Sequence, residues 1–339
     1  MHRAKFFNDE PEAELVKCSL CPHGCSIQSG KFGACGVRGN KNGTGLIPFY
    51  GNVTAAALDP IEKKPLYHYR PASSILSLGF SGCNLRCPFC QNWHISQNPN
   101  APGRTMSPQE VVMLALRECA SDAPAIAYTY SEPLVHAEFL LDCMTLARQH
   151  GIANVLVTNG CINARPAAEI LSLTDAANID LKSFSAQTYS KILGGDLNAV
   201  LEFIKLAHNA GVHIEITTLV VPDLNDSEKE LDGIAEFIAG IDPQIPWHLS
   251  AYHPDYHWNA PPTDPGLLLA AATRARELLS FVYSGNISNE KNDTHCLHCK
   301  NVLVSRRGYR IDVSGLANPP NNEKKYRCAS CGKETEIKR

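Results

Sequence analysis

Eleven of the chain's 14 cysteines fall into three tight groups: Cys18, Cys21, Cys25 and Cys35; Cys83, Cys87 and Cys90; and Cys296, Cys299, Cys328 and Cys331. Spacings of two or three residues let thiolates from one loop converge on a single centre, which is how metal ligands are arranged and how disulfides usually are not. A chain of 339 residues buries a core without covalent staples. The grouping therefore speaks for a reducing, cytoplasmic setting.

The central group follows C-x3-C-x2-C and has no fourth cysteine close by. Three ligands on a four-iron cluster leave one iron open, whereas an electron-transfer loop would fill that position with a fourth thiolate. A thioredoxin-like pair of Cys87 and Cys90 would leave Cys83 unexplained. At the other end of the chain, Cys296-Leu-His-Cys299 and Cys328-Ala-Ser-Cys331 are two C-x2-C knuckles. The runs Val302–Val304 and Tyr309–Val313 between them suit a small antiparallel sheet. That is a zinc-ribbon or rubredoxin-like layout with a closed, structural zinc held by four cysteines, and without metal such a tail would hardly fold. The N-terminal C-x2-C-x3-C-x9-C group lies among glycines, with His23 as a spare ligand. It suits either Zn²⁺ or an auxiliary iron–sulfur cluster, and reduced cysteines without metal stay open as an alternative. Of the remaining three, Cys119 and Cys143 fit helix cores, and Cys161 sits at the presumed mouth of the site.

The elements that must position these residues alternate strand and helix. Apolar, β-rich runs at Ile75–Gly79, Ala125–Thr129, Asn154–Thr158, Ala177–Leu181, His213–Val221 and Pro246–Tyr252 are separated by helical patterns. Those patterns lie at Pro108–Cys119, Leu134–His150, Ala164–Leu171, Ala186–Ile192, Asn198–Ala210 and Ser227–Ile238, with a closing helix at Gly266–Phe281. Ser107-Pro108 with Glu110 predicts a capped helix start, and Gly151 and Gly211 predict helix stops. Six β/α repeats imply a parallel sheet, either an incomplete barrel or a doubly wound sheet. The β/α core spans 72–284. A Cys/Gly-rich lobe of loops and turns at 1–71 precedes it, and a basic four-cysteine tail at 290–339 follows the polar linker Ser284–Thr294. In such a unit ligands bind at the carboxyl ends of the strands, and the central cysteine loop follows the first strand.

C-x3-C-x2-C after the first strand of a β/α core, with Phe89 just before the third cysteine, resembles the radical S-adenosylmethionine (SAM) superfamily. The resemblance implies an α/β fold, an incomplete (β/α)6 barrel, and a [4Fe-4S] cluster on Cys83, Cys87 and Cys90 whose open iron chelates the amino and carboxylate groups of SAM. Reduction of the SAM sulfonium would then release methionine and a 5′-deoxyadenosyl radical that abstracts hydrogen. Tyr130-Ser131-Glu132-Pro133 is similar to that family's Gly-Gly-Glu-Pro run, with Ser131 replacing a glycine, and Glu132 would suit the SAM ammonium. Thr158-Asn159-Gly160 and Asp180-Leu181-Lys182 resemble motifs of glycyl-radical-enzyme activating enzymes, although Val157 stands where an Asp is common. Phe89, Ser131, Glu132, Asn159, Asp180, Lys182 and His253 are the expected cofactor contacts. Each has a bland reading, a turn at Asn159-Gly160 or a surface ion pair at Asp180 and Lys182; their recurrence at successive strand ends favours one shared site. Over the whole chain, Cys18–Arg38, Pro246–Ser250 and His253–Tyr256 are similar to the AmmeMemoRadiSam system radical SAM enzymes.

Charge and composition bound the rest. Formal net charge is -3, yet residues 291–339 carry 11 Lys/Arg against 5 Asp/Glu, a surplus of 6. That keeps nucleic acid open as a partner of the tail without favouring it. Residues 1–17 lack the apolar core of a signal peptide, and no run is long and apolar enough for a membrane helix. The expected function is hydrogen abstraction from a protein or peptide, fed by a flavodoxin- or ferredoxin-like electron donor. The alternatives are the same chemistry on a small molecule or nucleic-acid base, or a non-enzymatic cysteine-knuckle protein.

Overall fold

Chain order and spatial order coincide in the central sheet of the computed structural model, which describes residues 2–10, 14–119, 123–288, 292–308, 310–319 and 323–339. Seven parallel strands lie side by side in sequence: Ser74–Gly79, Ala125–Thr129, Ala153–Thr158, Ala176–Asp180, His213–Val220, Trp247–Ala251 and Val282–Gly285. Ala55–Pro60 extends the sheet antiparallel to the first of them. Sequential order with right-handed crossovers keeps the helices on one face, so the doubly wound alternative falls. The sheet is open, with Ala55–Pro60 and Val282–Gly285 as its edges.

The first six strands stand within a residue or so of the expected runs. The count of six is corrected to seven by Val282–Gly285. The expected closing helix runs on to Phe281, the first residue of the β-rich Phe281-Val-Tyr run, but the helix spans only Pro265–Ala275. Ser284 and Gly285 thus belong to a strand, while 289–291 of the expected linker lie outside the described residues. Ser107 and Glu110 form the expected capping box at helix Pro108–Glu118. Gly151 and Gly211 take φ of +69° and +76°, the left-handed stop that a Cβ would strain.

Side chains alternate between the two faces of this sheet. On the helix-covered face Leu78, Ile126, Tyr128, Leu156, Ile179 and Trp247 are fully buried in the main core. Each such aliphatic side chain contributes roughly 1.5–3 kcal/mol. The opposite face is lined by small residues, Ala125, Ala127, Ala153 and Ala176, and they leave room for the segment that brings in Ile61, Leu66 and Tyr69. At the centre of that face Glu215 is fully buried and accepts the backbone N–H groups of Tyr67 (3.0 Å) and His68 (2.7 Å). His213 Nε2 and His248 Nε2 lie 3.0 and 2.7 Å from its oxygens. Burial alone would raise its pKa, but the two histidine contacts outweigh it and hold the carboxyl well below the usual range.

Residues 1–71 form more sheet than the glycine-rich sequence suggested: Phe7–Glu10, Leu15–Cys18 and Ser26–Gln28 make one sheet, and His2–Arg3, Thr44–Ile47 and Gly39–Lys41 another. Phe6, Val16, Leu20 and Ile27 share the main core. In the tail, Val302–Arg307 pairs antiparallel with Arg310–Asp312 as expected, and Lys325–Cys328 pairs with Leu316–Ala317 and Glu334–Lys338. Tyr309 and residues 320–322, the last three of the polar Asn318-Pro-Pro-Asn-Asn stretch that the sequence reads as a turn, lie outside the described residues. Buried Arg306 ties the tail down: it donates to Tyr67 O (2.7 Å) and Thr294 Oγ1 (2.7 Å), with its guanidinium 4.2 Å from the Tyr67 ring centroid. No helix among the described residues is long and apolar enough to cross a membrane.

Candidate active site

A cavity of about 360 Å³ opens at the carboxyl ends of the parallel strands. The loop after the first strand supplies Cys83, Cys87, Phe89 and Cys90. Ser131 and Glu132 follow the second strand, Asn159 the third, and Asp180 and Lys182 the fourth. Nine of the ten cofactor and cysteine positions expected from sequence at this site therefore share one cavity, whose size suits a cofactor-sized ligand.

Local hydrogen bonds set the loop. Cys83 Sγ accepts from Leu85 N at 3.3 Å, and Cys90 Sγ lies 3.1 Å from Ser96 Oγ on the helical turn Trp93–Ser96. Asn92 Nδ2 anchors to Tyr130 O at 2.7 Å. Asn159 Nδ2 donates to Asn84 Oδ1 at 3.0 Å and lies 3.6 Å from Cys83 Sγ, which joins the third strand end to the cysteine loop.

Glu132 joins the second strand end to the third. Its Oε1 accepts from Leu134 N (3.0 Å) and Thr158 Oγ1 (2.6 Å), and its Oε2 from Asn159 N (2.8 Å). Burial pushes the carboxyl up to about 7 against those three bonds. The nearby Tyr130 has φ +69°, a conformation that costs a non-glycine residue on the order of 1 kcal/mol. Its hydroxyl bond to Asp59 (2.6 Å) and the Lys64 ammonium 4.4 Å from its ring centroid hold it there. Lys182 Nζ pairs with Asp180 Oδ2 at 2.8 Å. Burial works against that ammonium's charge, yet Asp180 and the Cys87 sulfur keep its pKa raised.

The donor set fits an iron–sulfur cluster with SAM on two observations. Ser131 Oγ and Thr217 Oγ1 line the cavity, are buried, and have no protein partner, so they are free for a polar ligand. The sulfurs are also spread: Cys83, Cys87 and Cys90 do not all come within 4.8 Å of one another. Burial raises Cys83 well above the usual thiol range and Cys87 to about 11, so binding of metal would expel their protons.

His253 is the exception. It is exposed and stands outside the cavity, because the chain leaves the sheet after Ala251 with Tyr252 turned inward; Tyr252 N is held by Thr263 Oγ1 at 2.7 Å. His257 N instead donates to Pro88 O on the cysteine loop at 2.8 Å. Cys161 is buried and does not line the cavity. The sequence reading missed Lys63, Pro65, Asn92, Ser96, Thr217, Ser250 and Asn286 as lining residues. Asn92 and Ser96, two and six residues after the third cysteine, and Ser250, at the end of the Pro246–Ser250 run, carried a local signal. A second cavity of about 710 Å³ adjoins the first, sharing Lys63, Pro65, Ser250 and Asn286 and adding Tyr67, Tyr283 and Arg306.

The two outer cysteine groups differ. Cys296, Cys299, Cys328 and Cys331 gather their sulfurs within 4.8 Å, with Cys296–Cys331 at 3.8 Å and Cys299–Cys328 at 3.7 Å. A tetrahedral ion bound at about 2.3 Å places thiolates roughly 3.8 Å apart, so this group can hold one metal ion. Cys18, Cys21, Cys25 and Cys35 do not meet that spacing, and His23 Nε2 is engaged by Asn84 O at 2.8 Å.

Comparison with known proteins agrees with this geometry. Residues 78–238 match the model of the radical SAM superfamily. An uncharacterised protein of Methanocaldococcus jannaschii is 38% identical over 99% of both chains. The pyruvate formate-lyase-activating enzyme of Clostridium pasteurianum is 29% identical over 51% of this chain and 73% of its own. A solved domain of a pyruvate-formate lyase-activating enzyme from Bacteroides vulgatus aligns with a TM-score of 0.41 at 23% identity, covering 47% of this chain and 98% of that one. The chain belongs to the radical SAM superfamily, as an enzyme related to the glycyl-radical activating enzymes.

Proposed function

We propose that the enzyme abstracts a hydrogen atom from a protein or peptide, as an activating enzyme does. The observation that carries this reading is the convergence of Cys83, Cys87, Cys90, Glu132, Asn159, Asp180 and Lys182 on one cavity at the strand ends. When bound there, a [4Fe-4S] cluster and SAM would supply a single electron and a 5′-deoxyadenosyl radical. The protein's own part is to hold and orient. Three thiolates anchor the cluster and leave one iron position without a protein ligand. Glu132, once ionised, offers the SAM ammonium a charge-assisted acceptor, while Thr158 and Asn159 fix its rotamer. Ser131 and Thr217 hydroxyls and the Asp180–Lys182 pair give the remaining polar groups of SAM their partners. Phe89, buried beside the third cysteine, gives the cavity an apolar wall.

A flavodoxin- or ferredoxin-class protein would donate the electron. Fourteen free cysteines suit a reducing compartment, and the tail's spacing suits zinc. The AmmeMemoRadiSam type remains the proposal for the whole chain, from its own motifs at Cys18–Arg38, Pro246–Ser250 and His253–Tyr256. The adjoining 710 Å³ cavity supports a second reading, a small polar substrate. Label transfer separates the two. Deuterium from a labelled candidate glycyl radical enzyme should appear in 5′-deoxyadenosine. Absence of label from every protein tried, with label from a small molecule instead, would overturn the protein reading.

A further inference from the structure

The N-terminal cysteines are built against the very loop that carries the central ones. Ser19 O and Leu20 O accept from Asn163 Nδ2 (2.8 Å) and Asn163 N (3.0 Å), just past the third strand end. His23 Nε2 reaches Asn84 O, and Arg86 of the central loop donates to Ala34 O. Gly82, immediately before Cys83, has φ +81°, and a Cβ there would stand 2.6 Å from both Cys35 O and Val37 Cγ1. The two cysteine loops are in backbone contact, and a side chain at Gly82 would force them apart.

Within the lobe, four thiols of the same sheet and its following loop come together. Cys18 N donates to Cys25 O at 2.9 Å, Gly24 N closes a turn onto Cys21 O at 3.1 Å, and Cys25 Sγ accepts from Ala34 N, the neighbour of Cys35, at 3.4 Å. Cys18, Cys21 and Cys35 are buried. No three of these sulfurs lie within 4.8 Å of one another, in contrast to the tail, where all four do. One zinc ion needs the tight spacing; a cluster of several irons takes a wider one. A second observation points the same way. Arg38 is 1% exposed and its two terminal nitrogens hold Glu138 at 2.8 and 2.9 Å, but its Nε has no acceptor. Arg38 follows Cys35 by three residues, and Gly33 N on the other side of that cysteine donates to Arg38 O at 2.9 Å, closing the turn that carries Cys35. Such a stranded donor beside a sulfur nest suits an anionic cluster, whose sulfurs accept hydrogen bonds.

We propose that Cys18, Cys21, Cys25 and Cys35 hold a second iron–sulfur cluster, fully ligated by protein and packed directly against the loop of the first. Cys161, whose carbonyl accepts from Asn84 of the central loop at 2.6 Å, is not one of the ligands. The assignment stands apart from SAM cleavage, and its test reads iron. Full-length Cys83→Ala/Cys87→Ala/Cys90→Ala protein, reconstituted anaerobically, should retain iron and sulfide with a thiolate-to-iron absorption band, and adding Cys18→Ser/Cys21→Ser should abolish both. Cys161→Ser should leave the retained iron unchanged. Spectroscopy of the unmutated holoenzyme covers the case of misfolded variants: reduction should give two paramagnetic signals, only one of which SAM shifts. Zinc in place of iron at these cysteines, a single signal that shifts entirely with SAM, or loss of the iron in Cys161→Ser would each overturn the assignment as stated.

Discussion

The central cysteine loop and the C-terminal knuckles use the same residue to opposite ends. In the tail, four sulfurs close on a point with spacings of 3.7 and 3.8 Å, and the surrounding hairpins exist to hold them. At the strand ends, three sulfurs open onto a cavity shared with Glu132, Asp180 and Lys182. A saturated site lends stability, and an unsaturated one leaves a coordination position for chemistry. The distances between sulfurs, more than the number of cysteines, separate the two.

The largest expected effect falls on the open site. Cys87→Ala should reduce 5′-deoxyadenosine formation to background, at least about 1,000-fold, because two thiolates no longer hold the cluster. The tail's metal should be unchanged by elemental analysis. The mirror experiment, Cys296→Ser/Cys328→Ser, should release the tail's metal and cost several kcal/mol, read as a lower and broader melting transition. Cofactor binding at the strand ends should persist; its loss would show that the two regions are not independent. Next in size, Glu132→Gln keeps the shape but removes the charge proposed to face the SAM ammonium. Equilibrium binding should weaken roughly 10- to 100-fold, the worth of one charge-assisted hydrogen bond.

A smaller effect probes the seam between the regions. His68 sits there, its carbonyl accepting Lys338 N from the tail at 2.8 Å and its Nε2 2.6 Å from Tyr283 Oη. Burial, aided by Arg306, His213 and His248 and opposed by Glu215, brings its pKa down to about 3. The unfolded chain takes up this proton near pH 6.5, so stability should fall from there as pH drops toward 3, by about 1.4 kcal/mol per pH unit at most. Glu215, with its depressed pKa, adds a loss of the same sign at lower pH. His68→Asn should flatten the upper part of the melting profile between about pH 6.5 and 4. The smallest expected effect is His253→Ala, with SAM binding unchanged, since the side chain faces solvent.

Much of the site was legible because its residues follow strands whose apolar runs are unmistakable: Cys83, Glu132, Asn159 and Lys182 each come within a few residues of a strand end. Where sequence reasoning failed, the determinant was not local. Lys63 and Pro65 reach the cavity only because the alanine-lined sheet face admits the segment around Ile61–Tyr69, and Asn178 Nδ2 pins Pro65 O at 2.8 Å. Glu215 was not singled out in the sequence, because its partners Tyr67 and His68 come from about 147 residues away. His253 was misplaced for the opposite reason, because proximity to a strand end does not fix which way the chain turns.

The central claim is that the strand-end loop is a SAM-cleaving centre and the tail is not. Anaerobic, iron-reconstituted enzyme given SAM and dithionite should form 5′-deoxyadenosine and methionine in equal amounts, and Cys83→Ala/Cys87→Ala/Cys90→Ala should form neither. Equal product from enzyme and triple variant, or none from either despite a full iron complement, would contradict it.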